Sequence, residues 1–181
     1  MEVVVDVQWF RRSQDVICIK QLAYSRLHDQ TDPTVIHSQP PCDWEDLDRE
    51  TQSKNLFLQM YHHGLFWYQG EQPYDTLPMK CDNIKHLSED RQIIVYVKDE
   101  QKKLLLGPFF ERIIHVEDVY CPELEYPLDE VVKCPHHRSW AHCCSSVNVK
   151  LIKNWILSNS VTLTSNFPID IQEGIVDLSL N

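Results

Sequence analysis

Apolar positions run almost without interruption from Val3 to Phe10, which predicts a first strand buried from close to the start of the chain. Asp15 to Ser25 alternates apolar and polar residues and predicts a second strand. The turn-forming run Asp29-Gln30-Thr31-Asp32-Pro33 follows, then a short third strand over Thr34–His37 that Pro40-Pro41 ends. A helix is expected from Trp44 to about His62, capped by Cys42 or Asp43, with Leu47, Leu56 and Met60 on its apolar face. The aromatic and turn-rich stretch from Gly64 to Pro78 reads as a loop, with a short helix after it over Met79–Leu87.

Arg91 to Lys98 is continuously apolar at its centre, as expected of a strand covered on both faces. Lys102 to Phe110 reads as a helix stopped near Gly107-Pro108, and Ile113 to Val119 as a fifth strand. Val147, Leu151, Ile152, Trp155 and Ile156 recur at helical spacing behind Ser145 or Ser146 as N-cap. The resulting order, β-β-β-α-β-α-β and then α, predicts a mixed α/β domain whose sheet is covered by helices.

Composition narrows this picture. A chain of 181 residues with 43% hydrophobic content fits one domain with a sizeable core. We place that domain at residues 1–157. From Asn154 onward there is no Lys or Arg, and residues 158–181 read as a flexible acidic tail. The net charge of −10 disfavours non-specific contact with phosphate, although a local basic groove could still bind nucleic acid. No apolar run suits a membrane span, and the N-terminus lacks the features of a signal peptide. Seven cysteines, an odd number, then fit reduced thiols and an intracellular location.

Four of the seven cysteines and three of the nine histidines fall between Cys121 and Cys144. Closely spaced Cys and His residues supply two ligands from one turn, as tetrahedral zinc requires. The preferred ligand set is Cys121, Cys134, His137 and Cys143, with His142, Cys144 and His136 as substitutes. A closed set of four leaves no place for a reacting water, so this zinc would be structural. Adjacent His62 and His63 point about 100° apart on a helix and read as a helix C-terminus rather than a ligand pair. Trp67, Tyr68 and Tyr74 lack interleaved basic residues, which favours packing or protein contact over stacking on bases.

Val4-Val5-Asp6-Val7-Gln8, Gln59–Leu65, Ile94–Lys98 and His142-x4-Val147 together resemble the motif order of DEDDh exonucleases of the ribonuclease H-like superfamily. The resemblance covers roughly residues 1–157. It implies a ribonuclease H-like mixed sheet and four metal-binding acids, of which only Asp6 is present. Gln8 stands at the second position, Lys102 near the third, and Val147, with Asn148 beside it, at the fourth. Holding two hard cations roughly 4 Å apart takes several carboxylates, so the resemblance implies a catalytically inactive member with Asp6 as a relic. An embedded Cys/His site in an inactive domain of this class is similar in kind to the Maelstrom domain. That likeness implies a protein-interaction adaptor in small-RNA and transposon silencing or related nuclear regulation. The alternative is a metal-dependent nuclease or RNA-binding protein that kept its nucleic-acid site.

In the tail, Ile175-Val176-Asp177-Leu178 resembles a SUMO-interacting motif, with Glu173 and Ser179 flanking it. The partner implied is SUMO or a SUMOylated protein, bound by strand addition to a sheet edge.

Overall fold

The computed structural model describes residues 1–89, 92–123, 134–137 and 143–166. Five strands form one mixed sheet: β1 (Glu2–Arg11), β2 (Ile17–Arg26), β3 (Thr34–His37), β4 (Ile94–Val97) and β5 (Ile113–His115). Their spatial order is β3-β2-β1-β4-β5. β1 pairs antiparallel with β2 and parallel with β4, so the first strand is central and buried on both faces. β2–β3 is antiparallel and β4–β5 parallel.

Four α-helices cover the sheet: α1 (Arg49–Phe57), α2 (Leu77–Lys85), α3 (Glu100–Leu106) and α4 (Ser145–Asn166). On one face Val3, Val5, Val7, Leu22 and Val95 pack with Leu77, Cys81 and Ile84 of α2 and with Leu106 at the end of α3. On the other, Val4, Ala23 and Tyr96 pack with Val149, Ile152 and Ile156 of α4. The strict alternation along β1 therefore feeds two separate cores. It also leaves Asp6 and Gln8, in step with Val4, on the α4 side. Among the described residues no helix is long and apolar enough to cross a membrane.

The mixed α/β sheet flanked by helices is as the hydrophobic pattern predicts, and β3 spans the residues expected of it. The first helix differs. Residues Trp44–Asp46 make only a 3-10 turn, and α1 begins after Asp48, whose carboxylate accepts bonds from the Thr51 N–H at 2.9 Å and its hydroxyl at 2.7 Å. The cap is thus Asp48, not Cys42 or Asp43. The buried face of α1 carries Thr51 and Asn55, while Leu56, Phe57, Met60 and Tyr61 are exposed. Asn55 replaces apolar packing with two bonds to the end of β1: Arg11 N–H to its Oδ1 at 2.8 Å, and its Nδ2 to the Arg11 carbonyl at 2.7 Å.

Leu58–His62 then wind as a π turn closed by the His63 N–H to the Leu58 carbonyl at 3.0 Å. The second helix starts two residues before the predicted Met79, inside the stretch read as loop. Beyond β5, Val116–Val119 curl into a 3-10 turn instead of extending the strand. α4 continues to Asn166, past the boundary placed at residue 157.

Two local devices aim this framework at the candidate site. The β1–β2 register slips after Gln8: Gln8 faces Gln21, but Trp9 faces Ile19, so Lys20 is an extra, bulged residue. Its buried ammonium donates to the carbonyls of Ser38 (2.8 Å), Trp67 (2.6 Å) and Gln69. The stretch read from sequence as a packed loop is accordingly pinned to the sheet. Trp67 is buried against Phe10 and Trp44, Tyr74 packs on the core, and exposed Tyr68 donates to Glu45.

Gly70 is the second device. Its φ of +138° is one that side chains avoid, and a Cβ there would lie 2.3 Å from the carbonyl carbon and oxygen of Ser38. Gly70→Ala is expected to lower stability by about 2–4 kcal/mol, from backbone strain plus overlap with backbone that cannot yield. A denaturant midpoint within error of wild type would refute this account of the loop.

Candidate metal centre

Gln21 leaves the middle of β2 on the α4 side, next to Gln8, as a fully buried polar residue. A buried amide needs partners, and it finds them in the segment before α4. Gln21 Nε2 donates to Cys134 Sγ at 3.3 Å, and its Oε1 lies 2.9 Å from His137 Nε2. Cys144 Sγ is 3.7 Å from Cys134 Sγ. One donor atom from each of Cys134, His137 and Cys144 lies within 4.8 Å of the others, so this group could hold a metal ion.

Each donor is prepared by its local structure. The Cys144 carbonyl accepts the Asn148 N–H at 2.9 Å, the first turn of α4, which puts Cys144 at the helix N-terminus, where the dipole favours a thiolate. The bond from the Cys134 thiol pulls Cys144 well down, with His137 adding to the effect. The same contact pushes Cys134 up, and a metal ion would bind both sulfurs as thiolates.

His137 Nδ1 lies 2.5 Å from the His63 carbonyl, which only accepts, so Nδ1 carries a proton; Nε2 faces the acceptor oxygen Gln21 Oε1, and a metal ion would take the place of a proton there. A histidine that donates one N–H to a backbone carbonyl and offers the other nitrogen is the usual arrangement in metal sites. The π turn leads directly into the residue that provides this carbonyl. His63 itself is buried, with Nδ1 accepting the Leu65 N–H at 3.1 Å and Nε2 facing the Trp9 carbonyl at 3.2 Å. Burial pushes its pKa down to about 3, with His62 adding to the effect, so it is a neutral core residue. It acts at the site through its backbone, not its ring.

Of the preferred ligands, Cys134 and His137 fall in this group. Cys144, a substitute, stands with them. Cys143 lies beside His62, its sulfur 3.8 Å from Nδ1. Cys121 sits in the apolar cluster with Val4, Tyr96 and Val149, its sulfur facing the Pro122 carbonyl. His136 is placed with Glu71, Nδ1 to Oε1 3.4 Å. His142 lies outside the described residues. So does the SUMO-motif segment Ile175, Val176, Asp177 and Leu178. Sequence inspection missed Gln21. The signal was present, because Lys20-Gln21 interrupts an otherwise apolar strand centre.

A second polar cluster lies on the same side of the sheet. Asp6 is fully buried, and Lys102 Nζ donates to its Oδ1 at 2.6 Å while Asn148 Nδ2 donates to its Oδ2 at 2.9 Å. Lys102 is held by the start of α3, where Asp99 Oδ1 caps its N–H at 3.0 Å and Asp99 Oδ2 lies 3.5 Å from its ammonium. Burial alone would push Lys102 down, but Asp6 and Asp99 outweigh it and hold the amine above its ordinary value, fully charged. β1, α3 and α4 thus converge on one internal ion pair.

No protein-family model, curated protein or solved structure matches the chain.

Proposed function

We propose that the protein is a catalytically inactive, nuclease-like domain that works as a protein-interaction adaptor and is stabilised by structural zinc. The observation that carries this is the Asp6 cluster. Asp6, Lys102 and Asn148 come from, or lie beside, the positions where the exonuclease resemblance puts the first, third and fourth metal-binding acids, and the three touch one another. Where the family plan has cations, this chain has an ammonium 2.6 Å from the carboxylate and an amide on its other oxygen. Neutral Gln8 sits two residues along the same strand face. A lone acid already paired with a lysine has no capacity for two hard divalent ions.

Two further features support an adaptor. The exposed row Leu56, Phe57, Met60 and Tyr61 is apolar surface of the kind that partners cover. Two sulfurs and an imidazole suit a zinc ion better than magnesium or calcium. A tetrahedral site needs a fourth donor, for which Cys143, next to Cys144 in the chain, and the Gln21 amide oxygen are candidates. Participation in small-RNA silencing, a nuclear location and SUMO binding by the tail belong to the same proposal and rest on the sequence resemblances.

Incubation with labelled single-stranded RNA and DNA plus Mg²⁺ or Mn²⁺ is expected to give no cleavage. Metal-dependent cleavage that Asp6→Ala abolishes would overturn the inactive reading in favour of a nuclease. For the tail, equal SUMO affinity in wild type and in an Ile175→Ala/Leu178→Ala variant would remove the motif.

A further inference from the structure

His37 ends β3 with its side chain almost fully buried, at 1% exposure, and neither ring nitrogen has a hydrogen-bond partner. An imidazole so placed loses its hydration on folding and regains nothing from a donor or acceptor. What surrounds it is a set of ligands. Its Nδ1 is 3.7 Å from Glu71 Oε2, and His136 Nδ1 is 3.4 Å from Glu71 Oε1. The two imidazole rings are 4.3 Å apart between centroids. One donor atom from each of His37, Glu71 and His136 lies within 4.8 Å of the other two.

The backbone holds this arrangement. The Glu71 and Gln72 N–H groups both donate to the His37 carbonyl, at 3.0 and 3.1 Å, and Gly70 packs directly on Ser38. Glu71 is therefore fixed beside His37 by main-chain contacts rather than by its own side chain, which is 59% exposed. His136 comes from the turn that also carries His137, so consecutive imidazoles serve two neighbouring clusters.

We propose that His37, Glu71 and His136 form a second metal site, for a divalent transition-metal ion such as Zn²⁺ or Co²⁺, with its remaining positions open to solvent. Two imidazoles and one carboxylate are a set used for such ions when some positions are left for water or a small ligand. Magnesium and calcium, which take oxygen ligands, are not expected there. Burial pushes His37 down to about 3, and neighbouring Lys20, His136 and His137 add to that shift. The Lys20 ammonium opposes a nearby cation, but three carbonyls surround it, and the Glu71 carboxylate brings a compensating charge to the site. The inference does not depend on the adaptor reading, only on the placement of the Cys134–His137 turn.

The test uses the full chain, dialysed against a weak chelator so that an open site empties while a closed thiolate site keeps its metal. Titration with Co²⁺ is expected to add one equivalent with visible d–d bands and no sulfur-to-cobalt charge transfer. Glu71→Gln and His136→Asn change side chains that are 59% and 23% exposed, and each is expected to weaken that equivalent at least about tenfold. Sulfur-to-cobalt charge transfer, if it develops, reports the Cys134–Cys144 cluster and scores that site separately. Failure of wild type to take up a sulfur-free equivalent would overturn the proposal. So would undiminished uptake by both variants.

Discussion

Stripping metal from the purified protein with a strong chelator is expected to lower its melting temperature by about 8–16 °C. A ligand present at about a thousand times its Kd adds about 4 kcal/mol to folding, and a domain of this size shifts about 2–4 °C per kcal/mol. The effect should be large because the cluster is a cross-link. Cys134 and His137 lie in one short turn, Cys144 begins α4, and Gln21 joins both to the middle of the sheet. Elemental analysis should find about one zinc per chain that resists the weak chelator. Cys134→Ser and Cys144→Ser should each lose that zinc and reproduce most of the drop. Cys121→Ser, a change within the apolar cluster on the α4 face, should keep the metal. Protein without zinc, together with a Cys134→Ser variant of unchanged stability, would remove the metal from the account.

The second large effect is expected at Lys102. Replacing it with Met leaves the Asp6 carboxylate buried without its cation, and breaking such a pair from one side costs about 3–5 kcal/mol. Adding Asp6→Asn to Lys102→Met should recover much of the loss, because the buried charge is then gone. The pH dependence gives an independent check. Burial already holds Asp6 above its ordinary value in the wild type despite Lys102, and in Lys102→Met, with no ammonium to lower it, its pKa rises further. The folded state then binds the extra proton, so the variant should gain stability relative to wild type as pH falls through that raised pKa. Chemical denaturation of the three proteins from pH 7 to pH 4 measures both effects. A Lys102→Met loss below about 1 kcal/mol would mean that the pair does not hold β1, α3 and α4 together.

Where local pattern and tertiary burial agree, the sequence was a good guide. β4 is apolar throughout, and β1 is apolar apart from its ends and Asp6 and Gln8, because helices or neighbouring strands cover both, and such runs are read directly. α4 shows its stripe because Ile152 and Ile156 face a flat apolar sheet. α1 was misread because its anchors, Thr51 and Asn55, are polar, and its apolar residues face outward. No periodicity argument assigns a buried side to a helix docked by an amide bond to Arg11. Within the site, the cluster was legible as composition, but choosing among adjacent cysteines was not. Cys143 and Cys144 differ by one step of the chain, and the start of α4 decides which sulfur turns toward Cys134. His37 and Glu71 carried no signal, since they stand 34 positions apart and are brought together by main-chain bonds from Glu71 and Gln72 to the His37 carbonyl and by the Gly70 contact.

The bulge at Lys20 bears on which length changes this chain can tolerate. Side chains on a strand alternate, so a single extra residue sets the two halves of β2 out of phase. Gln21 faces the α4 side only because Lys20 is counted out of the pairing. Deleting that one residue would restore a regular ladder with Gln21 still opposite Gln8 and Ile19 still opposite Trp9, and what it would remove is the ammonium that pins the carbonyls of Ser38, Trp67 and Gln69. A deletion elsewhere in β2 shifts the register and turns side chains over, whereas one at Lys20 leaves both halves paired as they are. Among relatives of this chain, the extra residue and its ammonium should therefore be kept or lost together with the loop that carries Trp67 and Gln69.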